Sequence, residues 1–147
     1  MKKQKKKKLK SLKSLRKAAW VACSQYVRQF YADSHGRVKC YTCGQSMTIS
    51  EAQAGHAIGG RSNVVLFDTS IIRCQCCHCN VFMRGQYPIF TAKLIRENGL
   101  DWFERKLDDS RQIVKMLRDD YEKLIADFIL KTQQLSIERR TEKWRKP

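Results

Sequence analysis

Two stretches decide how this chain folds: Lys39-Cys40-Tyr41-Thr42-Cys43-Gly44 and Cys74-Gln75-Cys76-Cys77-His78-Cys79-Asn80. Each carries Cys-x-x-Cys pairs, and paired knuckles of this kind place four thiolates tetrahedrally around one zinc. The first stretch offers Cys40 and Cys43. The second offers two registers, Cys76 with Cys79 or Cys74 with Cys77, and spacing alone leaves both open. Gly44 permits the tight turn that turns backbone amides towards thiolate sulfurs.

Seven cysteines in 147 residues are an odd number, and the basic N-terminus is not followed by an apolar signal segment. Both facts argue against a disulfide framework and for metal ligation. A module of roughly 35–90 is small enough to need a staple, and zinc is one. The 32 residues between Cys43 and Cys76 exceed the usual zinc-ribbon spacing, so they read as an inserted functional element. Within it, Ala54 to Ile58 and Val64 to Phe67 predict two short strands of one hairpin, joined by the loop Gly59-Gly60-Arg61-Ser62-Asn63. His56 lies on the first strand, beside the Gly-rich loop, where a neutral imidazole can take a proton from water. His78 lies inside the second knuckle and His35 in a turn. Cys23 reads as a core-facing thiol.

Outward from the knuckles the chain turns helical. Leu9, Leu12, Leu15, Ala19, Ala22, Tyr26 and Phe30 recur at three or four residues and predict a helix over 9–32 with one basic face. Asp33-Ser34-His35-Gly36 ends it. A knuckle from Cys76 to about Arg84 leads into a helix over 88–97, with Pro88 in its first turn and Asn98-Gly99 as its stop. Asp101 caps a further short helix through Leu107. Ile113, Leu117, Tyr121, Leu124, Phe128 and Leu135 predict a long helix over 110–139. The fold class is therefore α+β: a small zinc-stapled module flanked by N- and C-terminal helices. The expected layout is a basic tail over 1–8, a basic amphipathic helix over 9–34, the module over 35–109, and a C-terminal helix and basic tail over 110–147.

The net charge of +16 is extreme for this length, and residues 1–17 hold ten Lys or Arg before the first acid, Asp33. The remainder still carries +6. Such a field favours polyanions, nucleic acid first, because Lys and Arg displace counterions condensed on phosphates. Lys10, Lys13, Arg16, Lys17, Arg28, Arg61 and Arg84 are the expected phosphate contacts. A membrane partner is not expected: apolar runs such as Val64 to Phe67 fall far short of the roughly 20 residues that a span needs.

The residues Tyr26 to Gly44, with Ala54-Gly55-His56-Ala57-Ile58, Leu66-Phe67-Asp68 and Gln75-Cys76-Cys77-His78-Cys79-Asn80, together resemble the phage NinG (Rap) recombination proteins. The resemblance covers about residues 9–109. Its second-knuckle pattern, Gln-Cys-x-x-Cys-Asn, selects Cys76 and Cys79 as zinc ligands with Cys40 and Cys43. It implies an HNH-like ββα-metal endonuclease that cuts branched DNA of the Holliday-junction or D-loop type. His56 would be the general base. Asn80, assisted by Asp68, would hold a catalytic Mg²⁺ or Mn²⁺. Resolving a junction takes two symmetric nicks, which makes a homodimer attractive mechanistically; other recombination proteins are expected as partners, and the cytoplasm of the bacterial host as the location. Three departures stand out. Ile71 occupies the place, five residues before Cys76, of an Asn that would orient the histidine. Gly55 stands where many HNH enzymes carry an Asp or His ligand. A lysine tract and helix replace an N-terminal zinc-ribbon extension.

Overall fold

The helical period that begins at Leu9 becomes helix α1 (Leu12–Phe30), started by Ser11, whose hydroxyl accepts the Ser14 amide at 3.2 Å. Such a cap satisfies an amide that has no intrahelical partner. Leu15, Ala19, Ala22, Cys23 and Val27 form its buried face. Cys23 is thus core-facing as expected, and burial pushes its thiol up to about 12. The computed structural model describes residues 9–60 and 62–145, with side chains as far as residue 141. The lysine tract, Arg61, Lys146 and Pro147 lie outside the described positions.

Two small antiparallel pairs follow. Strand β1 (Arg37–Lys39) pairs with β2 (Ser46–Thr48), which sets Val38 opposite Met47, both buried. Strand β3 (Gln53–His56) pairs with β4 (Ile72–Gln75), which sets Gln53 opposite Gln75 and His56 opposite Ile72. The hairpin expected between 54–58 and 64–67 is therefore not formed. Asn63–Leu66 is instead a one-turn helix, α2, started by Ser62, whose hydroxyl accepts the Val65 amide. A four-residue apolar run has the same hydrophobic signature as strand or helix, and here the serine cap decides it. Asp68 then caps a 3₁₀ turn, Thr69–Ile71, that delivers the chain into β4.

The second knuckle runs into a wide single turn, His78–Phe82, and then into α3 (Tyr87–Asn98) with Pro88 in its first turn. Gly99 ends α3, its amide bonding the Ile95 carbonyl at 2.8 Å. Helix α4 (Leu100–Ser110) begins at Gly99 itself, so Asp101 lies in the first turn and is not the cap that the sequence predicted. There it complements the positive end of the helix. The last helix, α5 (Arg118–Arg145), starts eight residues later than expected. Ile113 and Leu117, two residues of the apolar period, are 90% and 70% exposed, so burial gives that stretch no reason to be helical. The Leu117 amide bonds the Asp120 carboxylate at 2.7 Å and opens the helix there.

Helix α5 lies along α1. Tyr121 joins Leu15 and Ala19 in a small cluster, Phe128 packs on Tyr26 with ring centroids 5.6 Å apart, and Arg139 bonds the side-chain and backbone oxygens of Gln29 at 2.5 and 2.6 Å. Ala22, Cys23 and Val27 of α1 share one core with Val38, Ile71, Ile72, Phe90 and Leu94. The N-terminal helix is thus a wall of the zinc module, and the α+β class holds.

Candidate metal centre and basic cleft

Cys40, Cys43, Cys76 and Cys79 converge, with all four Sγ atoms within 4.8 Å of one another. The Cys43 and Cys76 sulfurs are 3.8 Å apart. A tetrahedron of Zn–S bonds of about 2.3 Å has edges of about 3.8 Å, so the donor set fits zinc in number, chemistry and spacing. The turns around it are built for thiolates. Gly44, at φ +78°, lets its amide reach the Cys40 carbonyl at 2.8 Å, and the Cys79 amide points at the Cys76 sulfur at 3.4 Å. Burial alone would raise the Cys40 thiol. Hydrogen bonds from the Thr42 hydroxyl and from the Cys43, Cys76 and Thr42 backbone outweigh it and lower Cys40 to about 6. The Tyr41 amide bonds the Cys74 carbonyl at 2.8 Å and ties the two knuckles together.

The cysteine register is settled by this geometry. Cys74 is buried on β4, where its Sγ donates towards the Val27 carbonyl at 3.8 Å and burial raises it to about 12. Cys77 is exposed, and His78 is exposed beside Phe82 and outside the cluster. One consequence is measurable. In the zinc-loaded native protein a thiol reagent should modify Cys77 quickly, while Cys23 and Cys74 become reactive only on unfolding. A second fast thiol in a Cys77→Ser variant would contradict the packing described.

His56 ends β3 and stacks on Trp20 of α1, with centroids 4.9 Å apart and planes 28° apart. Its Nε2 lies 3.2 Å from the Leu66 carbonyl, which can only accept, so Nε2 carries the proton and Nδ1 keeps its lone pair. Burial lowers its pKa, opposed in part by that hydrogen bond. The ring is therefore neutral at pH 7. Ile71 stands where the family's orienting Asn was expected, but its side chain is core and its backbone carbonyl bonds the Ala57 amide at 2.9 Å. The Leu66 carbonyl is what holds the imidazole in its orientation here.

His56 and Trp20 open onto a cleft of about 700 Å³, lined also by Lys13, Arg16, Lys17 and Leu66. The N-terminal half of α1 thus supplies three of the expected phosphate contacts beside the histidine. Arg16 is also held by Asn63, Nε to Oδ1 at 3.1 Å. Lys10 is exposed just before the helix, and Arg84 is exposed beyond the second knuckle. Arg28 is different: it bonds the Ser24 and Ile49 carbonyls and acts as an internal tie.

Asn80 does not line that cleft. Alternate residues of a strand face opposite ways, and Asn80 meets the Gln53 and Gly55 side of β3, its Nδ2 donating to Gln53 Oε1 at 2.8 Å. Asp68 is committed elsewhere. Its Oδ1 accepts from the Ser70 amide and hydroxyl at 3.0 and 2.5 Å, and its Oδ2 from Lys106 Nζ at 2.7 Å. Burial would raise its carboxyl, but the bonds from Lys106 and Ser70 prevail and lower it. The expectation that Asp68 assists a catalytic ion is thereby corrected, since both of its oxygens already fix the Thr69–Ile71 turn and α4. Among the described residues, the four cysteines are the only cluster of His, Cys, Asp or Glu that could hold a metal.

The family model described as Bacteriophage Lambda NinG protein matches residues 1–138. The chain belongs to the NinG family. The match extends past the motif-bearing region at both ends and takes in the lysine tract, α1 and most of α5. No curated protein and no solved structure matches the chain. Among the described residues, no helix of this NinG-family protein is long and apolar enough to cross a membrane.

Proposed function

We propose that this NinG-family chain is a phage recombination endonuclease that hydrolyses phosphodiesters in branched DNA. The observation that carries the reading is His56, neutral, oriented by a backbone carbonyl, and opening with Lys13, Arg16 and Lys17 onto one cleft. The cations would seat the phosphate backbone without reading sequence. His56 Nδ1 would take a proton from water as the water oxygen attacks phosphorus and the P–O bond to the leaving strand breaks. Cys40, Cys43, Cys76 and Cys79 are the support: the zinc they would hold would fix β1, the turn after β4 and Asn80 to one another. A hard divalent ion, Mg²⁺ or Mn²⁺, near Asn80 would stabilise the negative charge on the leaving oxygen. A homodimer would supply two symmetric nicks, and other recombination proteins are natural partners in the host cytoplasm.

Asp68 in its ion pair and Ile71 in the core favour a second reading, a zinc-dependent DNA-binding accessory protein without catalysis. A labelled four-way junction with Mg²⁺ separates the two. Nicking of the junction but not of linear duplex is expected; tight binding without any nicking supports the accessory reading. Replacing Lys13 and Lys17 by Ala should weaken binding to all sequences alike and reduce the slope of log K against log salt by about 2. An unchanged slope would remove the cleft from the DNA path.

A further inference from the structure

Gln75 is the one polar or charged residue that is fully buried among the described residues, at 0% exposure. Its Nε2 is used twice, donating to Thr42 Oγ1 at 3.1 Å and to the Gly85 carbonyl at 2.8 Å. A carbonyl only accepts, so the amide orientation is fixed and the atom on the other side is the oxygen. That oxygen, Oε1, is the single buried side-chain polar atom among the described residues without a hydrogen-bond partner. Leaving such an atom unsatisfied costs about 1–3 kcal/mol. The chain also strains its backbone to hold it. Arg84, Gly85 and Gln86 sit in succession at φ +50°, +86° and +52°, and this loop presents the Gly85 carbonyl.

Gln75 Oε1 is aimed at Gly55. A Cβ at Gly55 would lie 2.1 Å from Gln75 Oε1 and 3.0 Å from Asn80 Oδ1. Asn80 donates its Nδ2 to Gln53, which leaves its oxygen turned to the same point. Two amide oxygens of like partial charge thus crowd the space in which a side chain at position 55 would stand. A cation beside them converts that repulsion into ligation, and hard divalent ions take neutral carbonyl oxygens while retaining several waters.

We propose that Gln75 is a metal-binding residue: Gln75 Oε1 and Asn80 Oδ1 together seat the divalent ion, in place of the carboxylate that Gly55 cannot carry. This rests on the nuclease reading above. It gives the glycine a reason, since any side chain there would displace the oxygen of a pinned, buried amide. It also sets the affinity. With no acidic ligand the site is weak by itself and gains its negative charge from the DNA phosphate, so ion and DNA bind cooperatively.

The test is Mn²⁺ binding by electron paramagnetic resonance on the full-length zinc protein, with and without a four-way junction. His56→Ala is used throughout so that the DNA stays intact. One Mn²⁺ is expected, bound at least tenfold more tightly with junction present. Gln75→Ala and Asn80→Ala should each weaken it tenfold or more, with one zinc per chain retained. Should Gln75→Ala fail to fold, Gly55→Ala serves: it keeps both Nε2 bonds possible and pushes a methyl at Oε1, and it should weaken Mn²⁺ as strongly. Unchanged Mn²⁺ affinity in a folded Gln75→Ala or Gly55→Ala protein would overturn the proposal and reduce Gln75 to an internal tie satisfied by a water. No Mn²⁺ binding at all would also overturn it. If wild type nicks the junction while these variants keep their Mn²⁺, the nuclease reading survives alone. If Mn²⁺ binds through Gln75 and Asn80 but wild type nicks nothing, the metal site survives and the nuclease reading falls.

Discussion

Cys76→Ser is expected to lose zinc and, with it, the cooperative unfolding transition of the module. Structural zinc contributes roughly 10–16 kcal/mol in small sites at neutral pH, which matches or exceeds the 5–15 kcal/mol of net stability that a domain holds. Nothing nearby replaces it. The paired strands are only three and four residues long, and both belong to two-stranded sheets. A hairpin of that size is marginal without a partner. Cys76 is central, because its sulfur neighbours the Cys43 sulfur at 3.8 Å and accepts the Cys79 amide. Cys74→Ser should behave otherwise. It keeps the four ligands, so zinc stays at one per chain, while burying a hydroxyl in place of a thiol lowers the melting temperature by a few degrees. Part of the helix should outlast the zinc in Cys76→Ser, since Leu15, Ala19 and Tyr121 join α1 to α5 away from the knuckles. Zinc content by mass spectrometry, with far- and near-ultraviolet dichroism, reads all of this. Retained zinc in Cys76→Ser, or lost zinc in Cys74→Ser, would reverse the ligand assignment.

The parts of this fold legible in the sequence are those set by local chemistry. Two Cys-x-x-Cys pairs announce zinc because few other arrangements use them, and the apolar period of α1 is long enough to fix its type. The failures come where tertiary contacts decide. Asn63–Leu66 is helical because Ser62 caps it, though Val64, Val65 and Leu66 look like a strand. The partner of β3 is β4, whose Ile72 and Cys74 face the core, and no short-range turn signal marks a pairing closed by a long loop. The site was legible in its residue types only. His56 could be suspected from its position at a strand end, but Trp20, 36 places earlier, is what buries it. Asp68 looked like the nearest carboxylate in a matching segment, and Lys106, far along the chain, is what occupies it. Gln75 stands in the sequence as the first residue of the second-knuckle pattern, with no role attached to it. Its buried oxygen becomes visible only when Gly55 and Asn80 are placed around it.

His56→Ala should reduce junction cleavage by about 10²- to 10⁴-fold, the usual contribution of a positioned general base, while binding and its salt dependence stay within twofold. The histidine is not one of the proposed phosphate contacts, Lys13 and Lys17, so removing it should leave the electrostatic part of affinity in place. The pH profile of wild type carries a sharper signature. A base must be neutral, and burial holds His56 below the ordinary value of 6.5. Cleavage should therefore persist as pH falls through 6.5 and fail only further down. Stability follows the same sign. The unfolded chain binds this proton more readily than the folded one, so the contribution of His56 is complete above 6.5 and declines as pH drops towards the folded value. Trp20→Ala tests the cause. Removing the stacked ring, 4.9 Å away, hydrates the imidazole and should move the acid limb of the profile up towards 6.5 without abolishing cleavage. An acid limb already at 6.5 in wild type, or one that Trp20→Ala leaves in place, would mean that the group titrating in catalysis is not His56.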